Sequence, residues 1–188
     1  MRKIILLMHA SLDGFVAGPH GEMDWIIFDD ELGLYVDRFI AACDTAIYGR
    51  VTFQMMESYW PTAADDSKAG QHQISHANWV NKAEKIVFST TLKKSDWFNT
   101  TIIKDDIEKE IWKRKKQAGK NMILIGSASI AHLFMQQNLI DEYVININPV
   151  ILGGGIPLFK SITDRKNLQL LSATTFKSGV AGLHYQSK

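Results

Sequence analysis

The segment Asn121 to Phe134, NMILIGSASIAHLF, constrains the fold more than any other stretch of the chain. Met122 to Ile125 is a short apolar run fit for a buried parallel strand, while Ile130, Leu133 and Phe134 recur at helical spacing. Only Gly126, Ser127, Ala128 and Ser129 lie between the two. Small residues at such a junction let backbone N–H groups approach an anion, and the helix start adds about half a positive charge. The same residues also fit an ordinary tight turn with Ser127 or Ser129 as N-cap.

The rest of the chain alternates in the same way. Arg2 to His9 reads as a strand, followed by a long loop, SLDGFVAGPHGEMDW, rich in turn residues. From Asp29 a helix places Leu32, Tyr35, Val36, Phe39 and Ile40 on one face. Thr45 to Tyr48 is a second strand, and Gly49 leads into a helix, RVTFQMMESY. A polar loop, a helix over SHANWVNKA, strands over KIVFSTT and Thr100 to Lys104, and a helix from Ile107 to Ala118 come next. This order predicts an α/β fold with a mostly parallel sheet and helices on both faces. The C-terminal quarter differs: EYVININPVIL is a strand run, ILGGGIPLF a glycine-rich loop, and LQLLSATTF and GLHYQS two antiparallel strands joined by Lys177 to Ala181. At 188 residues, one domain over 1–188 is expected.

Composition removes several function classes. A formal net charge of +1 argues against a broad nucleic-acid surface. The densest basic run, Lys113 to Lys116, is expected to be a solvated helix face. Cys43 is the only cysteine, which excludes an internal disulfide and a multi-cysteine metal site; its apolar neighbours predict an inert buried thiol. The apolar run before His9 is too short for a signal peptide or membrane span, so the cytoplasm is the expected compartment and no membrane partner is expected.

Ligands of parallel sheets sit at the carboxyl ends of strands. Those ends carry Gly49, Arg50, Val51 and Thr52 on one strand, Ser89, Thr90 and Thr91 on another, and Gly126 to Ser129 on a third. One fork-shaped cation and several hydroxyls would therefore converge on a phosphorylated ligand, with Arg50 able to hold a phosphate bidentately. The alternative is a plain helix start with Arg50 in solvent.

In order along the chain, SLDGFVAG with EMDW, GRVTF, IVFSTT, GSASIAHLF and PVILGGGIPLF carry a resemblance that covers essentially all of it. The chain resembles the dihydrofolate reductase-like superfamily, and within it the branch holding the reductase domain of bifunctional riboflavin-biosynthesis enzymes and stand-alone bacterial homologues. The resemblance implies a three-layer αβα sandwich and a reductase that uses NADPH, without flavin or metal, on a pterin- or pyrimidine-like heterocycle. It also implies a homodimer. Gly126, Ser127, Ala128, Ser129 and Ile130 match the pyrophosphate turn. Gly49, Arg50 and Thr52 match the helix start beside the adenosine phosphates, and Ser89 and Thr90 the strand end near the 2′-phosphate. Ala10, Val16 and Ala17 match the segment along the nicotinamide. Asp30 follows Trp25 at the spacing of the substrate carboxylate in folate reductases, so both are substrate candidates and Asp30 is the candidate catalytic acid. Asp13 is a further substrate candidate. Helix capping by Asp29 or Asp30, and turn stabilisation by Asp13, are the competing structural roles.

Some features depart from these relatives. Ser127 stands where a second glycine is common, and Ile125 where riboflavin reductases often keep an acid. The second departure motivates an alternative, a non-catalytic NADPH-binding sensor. No HxE with PCxxC signature supplies a deaminase zinc site. His72 and His76, four apart, are expected as a surface pair, since Gln73 replaces the glutamate of HExxH. His9, His132 and His184 are expected to be structural, Trp60, Trp79, Trp97 and Trp112 to pack or wall a pocket, and Gly153 to Gly155 to form a flexible loop near the site.

Overall fold

Ile4, Leu6 and Met8 alternate with Ile5 and Leu7, and all five are buried, so the strand that carries them has core on both faces. In the computed structural model, which describes residues 1–188, this is β1 (Ile4–Ser11), near the middle of an eight-stranded sheet. The other strands are β2 (Phe15–Ala17), β3 (Cys43–Gly49), β4 (Glu84–Phe88), β5 (Thr100–Ile103), β6 (Asn121–Ile125), β7 (Glu142–Asn148), β8 (Ile156–Pro157), β9 (Leu168–Thr175) and β10 (Ala181–Ser187). Strand order is β5-β4-β3-β6-β1-β7-β10-β9. All pairs from β5 to β7 are parallel, and β10 runs antiparallel to both β7 and β9. The expected antiparallel C-terminal pair is thus present, with β10 inside and β9 at the edge.

Five helices cover the sheet: α1 (Asp30–Ala41), α2 (Arg50–Tyr59), α3 (Gln71–Lys82), α4 (Ile107–Lys115) and α5 (Ala128–Gln136). Strand parity decides which helix each side chain meets. Ile4, Leu6 and Met8 pack with Ile111 of α4 and with Ile130, Ala131 and Phe134 of α5. Ile5 and Leu7 pack with Leu32, Tyr35, Val36 and Ile40 of α1, and Ala46 and Tyr48 with Phe53 of α2 and Val80 of α3. The result is the expected three-layer sandwich. Each fully buried Leu, Ile or Phe contributes about 1.5–3 kcal/mol, so both faces hold the sheet.

The amino edge of the sheet is tied by buried ions. Arg2 pairs with Asp44 and donates to Thr45 Oγ1 at 2.6 Å, and Lys115 Nζ lies 2.6 Å from Asp141. The basic run from Lys113 is therefore not a wholly solvated face: Arg114 and Lys115 are buried, with Arg114 bonded to Glu84 at 2.5 Å and Glu110 at 2.9 Å. An i, i+4 acid and a long aliphatic stem let these cations turn inward. Cys43 is buried, and burial pushes its thiol up to about 12, as an inert thiol requires. No helix is long and apolar enough to cross a membrane.

Candidate active site

Because the strands from β5 to β7 run parallel, the carboxyl ends of β1, β3, β4 and β6 open on one edge of the sheet. A cleft of about 1380 Å³ follows that edge. Sites for a single drug-sized ligand occupy roughly 300–1,000 Å³, so this one has room for a dinucleotide with a second molecule beside it.

Its floor is two interlocked turns. Gly126 and Ser127 both take left-handed backbone, φ +59° and +56°, and every peptide bond in the chain is trans. For Ser127 that conformation costs about 1–2 kcal/mol, offset here by two hydrogen bonds. The Gly49 amide donates to Ser127 Oγ at 2.9 Å, and the Ser127 amide donates to Thr52 Oγ1 at 3.1 Å. Side chains are excluded at both glycines: a Cβ on Gly49 would lie 3.1 Å from Ile130 Cγ1, and one on Gly126 3.3 Å from Thr52 Cγ2. Ile130 and Ala131 donate back to the Ser127 carbonyl, which leaves the amides of Ala128 and Ser129 without a partner in the chain.

Three helices begin at this cleft without a capping side chain or a first-turn acid: α2 after Gly49, α3 after Gly70 and α5 after Ser127. Their unbalanced positive ends favour an anion. Arg50, Lys104 and Lys160 line the same cleft and form no ion pair, although Arg50 Nη1 donates to Gln54 Oε1 at 2.9 Å. Ser89 Oγ accepts from the Leu92 amide at 2.9 Å, so it shapes the turn that presents Thr90.

The opposite end of the cleft is acidic and aromatic. Asp29 caps α1, accepting from the Leu32 amide at 2.8 Å, and that backbone bond holds its carboxyl below the usual range. Asp30, the next residue, makes no hydrogen bond and lines the cleft, so the capping role falls to Asp29 alone. His9, His72 and His76 line this end too. His72 Nδ1 lies 2.7 Å from Asp37 Oδ1, and His76 is 5% exposed and stacked on Trp60 with centroids 4.1 Å apart. Burial, reinforced by His72, pulls His9 down to about 4 and His76 to about 3, so both rings are neutral.

Of the residues expected at a site, the cleft gathers Val16, Ala17, Asp30, Gly49, Arg50, Thr52, Ser89, Thr90 and Gly126 through Ile130. Three others lie outside its lining. Ala10 is fully buried inside β1, and Trp25 donates from Nε1 to the Glu22 carbonyl at 3.1 Å. Asp13 accepts from Ser11 Oγ at 2.7 Å and from the Leu152 and Gly153 amides at 3.1 and 2.7 Å, so its carboxylate anchors the glycine-rich loop. That loop is fixed rather than loose: β8 pairs with β2, and a Cβ on Gly155 would meet the Ala17 carbonyl at 2.2 Å.

The histidines of α3 differ from the expectation, whereas His132, bonded to the Pro157 carbonyl at 2.9 Å, is structural as expected. His72 and His76 are not a surface pair; together with Val80 they follow the inward face of α3, a helical spacing that was legible in the sequence. His184 has an acidic partner, Glu142 at 2.9 Å, which only the antiparallel pairing of β10 with β7 brings near. Lys104 and Lys160 were missed because nothing local distinguishes them from solvated lysines.

Residues 2–181 match the family model described as the RibD C-terminal domain. The chain belongs to the RibD C-terminal domain family. Within reach of this RibD-type chain is YyaP of Bacillus subtilis (strain 168), an uncharacterized protein 39% identical over 186 residues, covering 98% of this chain and 94% of YyaP. A Shewanella sp. PV-4 protein described as a riboflavin-biosynthesis candidate superposes with a TM-score of 0.76 at 22% identity, covering 99% of both chains. The Thermotoga maritima diaminohydroxyphosphoribosylaminopyrimidine deaminase/5-amino-6-(5-phosphoribosylamino)uracil reductase gives 0.68 at 15% identity, over 100% of this chain and 57% of that one. At such identities the two structures share the RibD fold with this chain, as the sandwich and its antiparallel C-terminal pair require.

Proposed function

We propose that the protein is an NADPH-dependent reductase of a pterin- or pyrimidine-like heterocycle. The observation that carries this reading is the pair of interlocked turns at Gly49 and Gly126, which offer free amides and unpaired cations along a cleft with room for two molecules. The Ala128 and Ser129 amides would hold the pyrophosphate at the start of α5. Arg50 and Lys104, beside the Ser89 turn, would face the 2′-phosphate and so favour NADPH over NADH. Val16 and Ala17, braced by Gly155, would form a smooth apolar wall along the nicotinamide. When bound, the cofactor supplies a hydride. Asp30 presents a free carboxylate at the other end, suited to binding ring N–H groups or to passing a proton inward.

The reading extends to a cytoplasmic homodimer, for which the edge strand β9 leaves Leu170 and Leu171 50% and 44% exposed. Following NADPH absorbance with dihydrofolate and with the ribosylaminouracil phosphate tests the enzyme. Reduction of either supports it. A second reading, an NADPH-binding sensor without turnover, is favoured by Ile125, an apolar residue in the cleft where an acid is common among riboflavin reductases. Tight NADPH binding with no reduction across a heterocycle panel would select that reading.

A further inference from the structure

The imidazoles at the substrate end of the cleft are arranged for more than packing. We propose that His9, His72 and His76 form the wall that receives the planar heterocycle, and that His72, held by Asp37, delivers the proton to the nitrogen being reduced. This rests on the reductase reading given above.

Geometry singles out His72. Its ring is fixed on three sides: by Asp37 at 2.7 Å, by Phe28 with centroids 4.7 Å apart, and by α1 beneath it, where a Cβ on Gly33 would lie 2.9 Å from His72 Cβ. With Nδ1 committed to Asp37, Nε2 makes no hydrogen bond, and it is not among the sealed polar atoms of the chain. A carboxylate on Nδ1 fixes the ring and aims Nε2 outward. The titratable groups facing this ring are Asp37 on α1, His76 on α3 and His9 on β1, and Asp30 Oδ1 lies 3.8 Å from a Cβ built on Gly70, two residues before His72.

His9 and His76 shape this wall differently. His9 Nδ1 and both ring nitrogens of His76 are sealed without a partner, so a molecule in the cleft meets the faces of these rings rather than those atoms. His9 Nε2 is not sealed and makes no hydrogen bond, which leaves one neutral ring nitrogen to meet an N–H or carbonyl group on a ring edge. Phe28, Trp60, Met55 and Met56 supply flat and adaptable apolar surface around it. Asp30 then serves ring binding, and proton delivery falls to His72.

The step balances. A bound dihydronicotinamide would supply a hydride to the carbon of the substrate's C=N bond and would itself be left oxidised. At the nitrogen that gains the π pair, the Nε2–H bond of His72 breaks as the new N–H bond forms, and His72 recovers its proton from solvent.

The test uses wild type, His72→Gln and Asp37→Asn, each checked by thermal melting. By ¹⁵N NMR of the NADP⁺-loaded protein, which cannot turn over, dihydrofolate should shift His72 Nε2, and Asp37→Asn should move the ionisation midpoint of His72 to lower pH. In turnover of dihydrofolate or the ribosylaminouracil phosphate, His72→Gln should lower kcat by at least about a hundredfold with NADPH affinity unchanged. The wild-type rate should fall as pH rises through the His72 midpoint; His72→Gln should lose that limb, and Asp37→Asn should displace it to lower pH. If His72→Gln does not fold, the displaced limb in Asp37→Asn decides. Wild-type kcat or an unmoved pH profile in these variants, or no shift of Nε2, would each overturn the proposal. Failure of wild type to bind NADPH, or no turnover by the NADPH-loaded wild type, would instead remove the reductase reading on which it rests.

Discussion

The Ser127 hydroxyl accepts a hydrogen bond from the Gly49 amide at 2.9 Å, joining the end of β3 to the start of α5. Ser127→Ala removes that acceptor while keeping a side chain at positive φ. It should lower stability by about 1–2 kcal/mol and weaken NADPH binding. Ser127→Gly loses the same bond but relieves the left-handed strain, so its urea midpoint should lie nearer wild type. Equal losses in the two variants would mean that the strain is not significant.

Gly155 supports the β2–β8 pair, proposed as the wall along the nicotinamide. Gly155→Ala places a methyl group against the Ala17 carbonyl and strains a residue at φ +141°. The β2–β8 pairing should open, with a stability loss above about 2 kcal/mol. Hydrogen exchange at Ala17 and Ile156 should accelerate, whereas exchange in the β1–β6 ladder should not.

Arg50 forms no ion pair and its one side-chain bond is to Gln54, so its guanidinium is available to the proposed 2′-phosphate. A charge-assisted contact is worth about 1.5–3 kcal/mol, so Arg50→Ala should weaken NADPH by tenfold or more and NADH far less. Calorimetric titrations with both cofactors measure the difference, and equal losses would remove this role.

The convergence of the strand ends, where the cofactor is proposed to lie, was legible in the sequence for a physical reason. Gly126 through Ser129 and Gly49 through Thr52 are local strand-to-helix junctions, and parallel pairing of β3 with β6 is enough to bring them together. The substrate half depends on tertiary packing. Asp37 and His72 sit on different helices, and no local pattern announces that α1 and α3 will pack with those side chains in contact. Asp13 shows the opposite case: SLDG offers both a substrate carboxylate and turn chemistry, and the anchoring of Leu152 and Gly153 needs a contact 139 residues away that no local pattern announces. The antiparallel tail followed from two strand runs joined by a short turn, while the insertion of β10 beside β7 did not.

Acid should destabilise the fold through its buried imidazoles. His9 and His76 have folded values near 4 and 3, below the unfolded value of 6.5, so the unfolded chain binds protons first as pH falls. Stability from these groups is intact above about pH 6.5 and is lost progressively toward pH 4, by up to about 2 kcal/mol each at pH 5. His76→Leu should flatten the Tm against pH curve over this window. An unchanged slope would place the acid sensitivity elsewhere.

NADPH carrying deuterium at the transferring C4 position distinguishes direct hydride transfer from any route through solvent or flavin. With dihydrofolate or the ribosylaminouracil phosphate as acceptor, deuterium is expected on the reduced carbon of the product, with the accompanying proton drawn from solvent and no flavin added. Deuterium released to water, or no binding of NADPH at all, would contradict direct transfer.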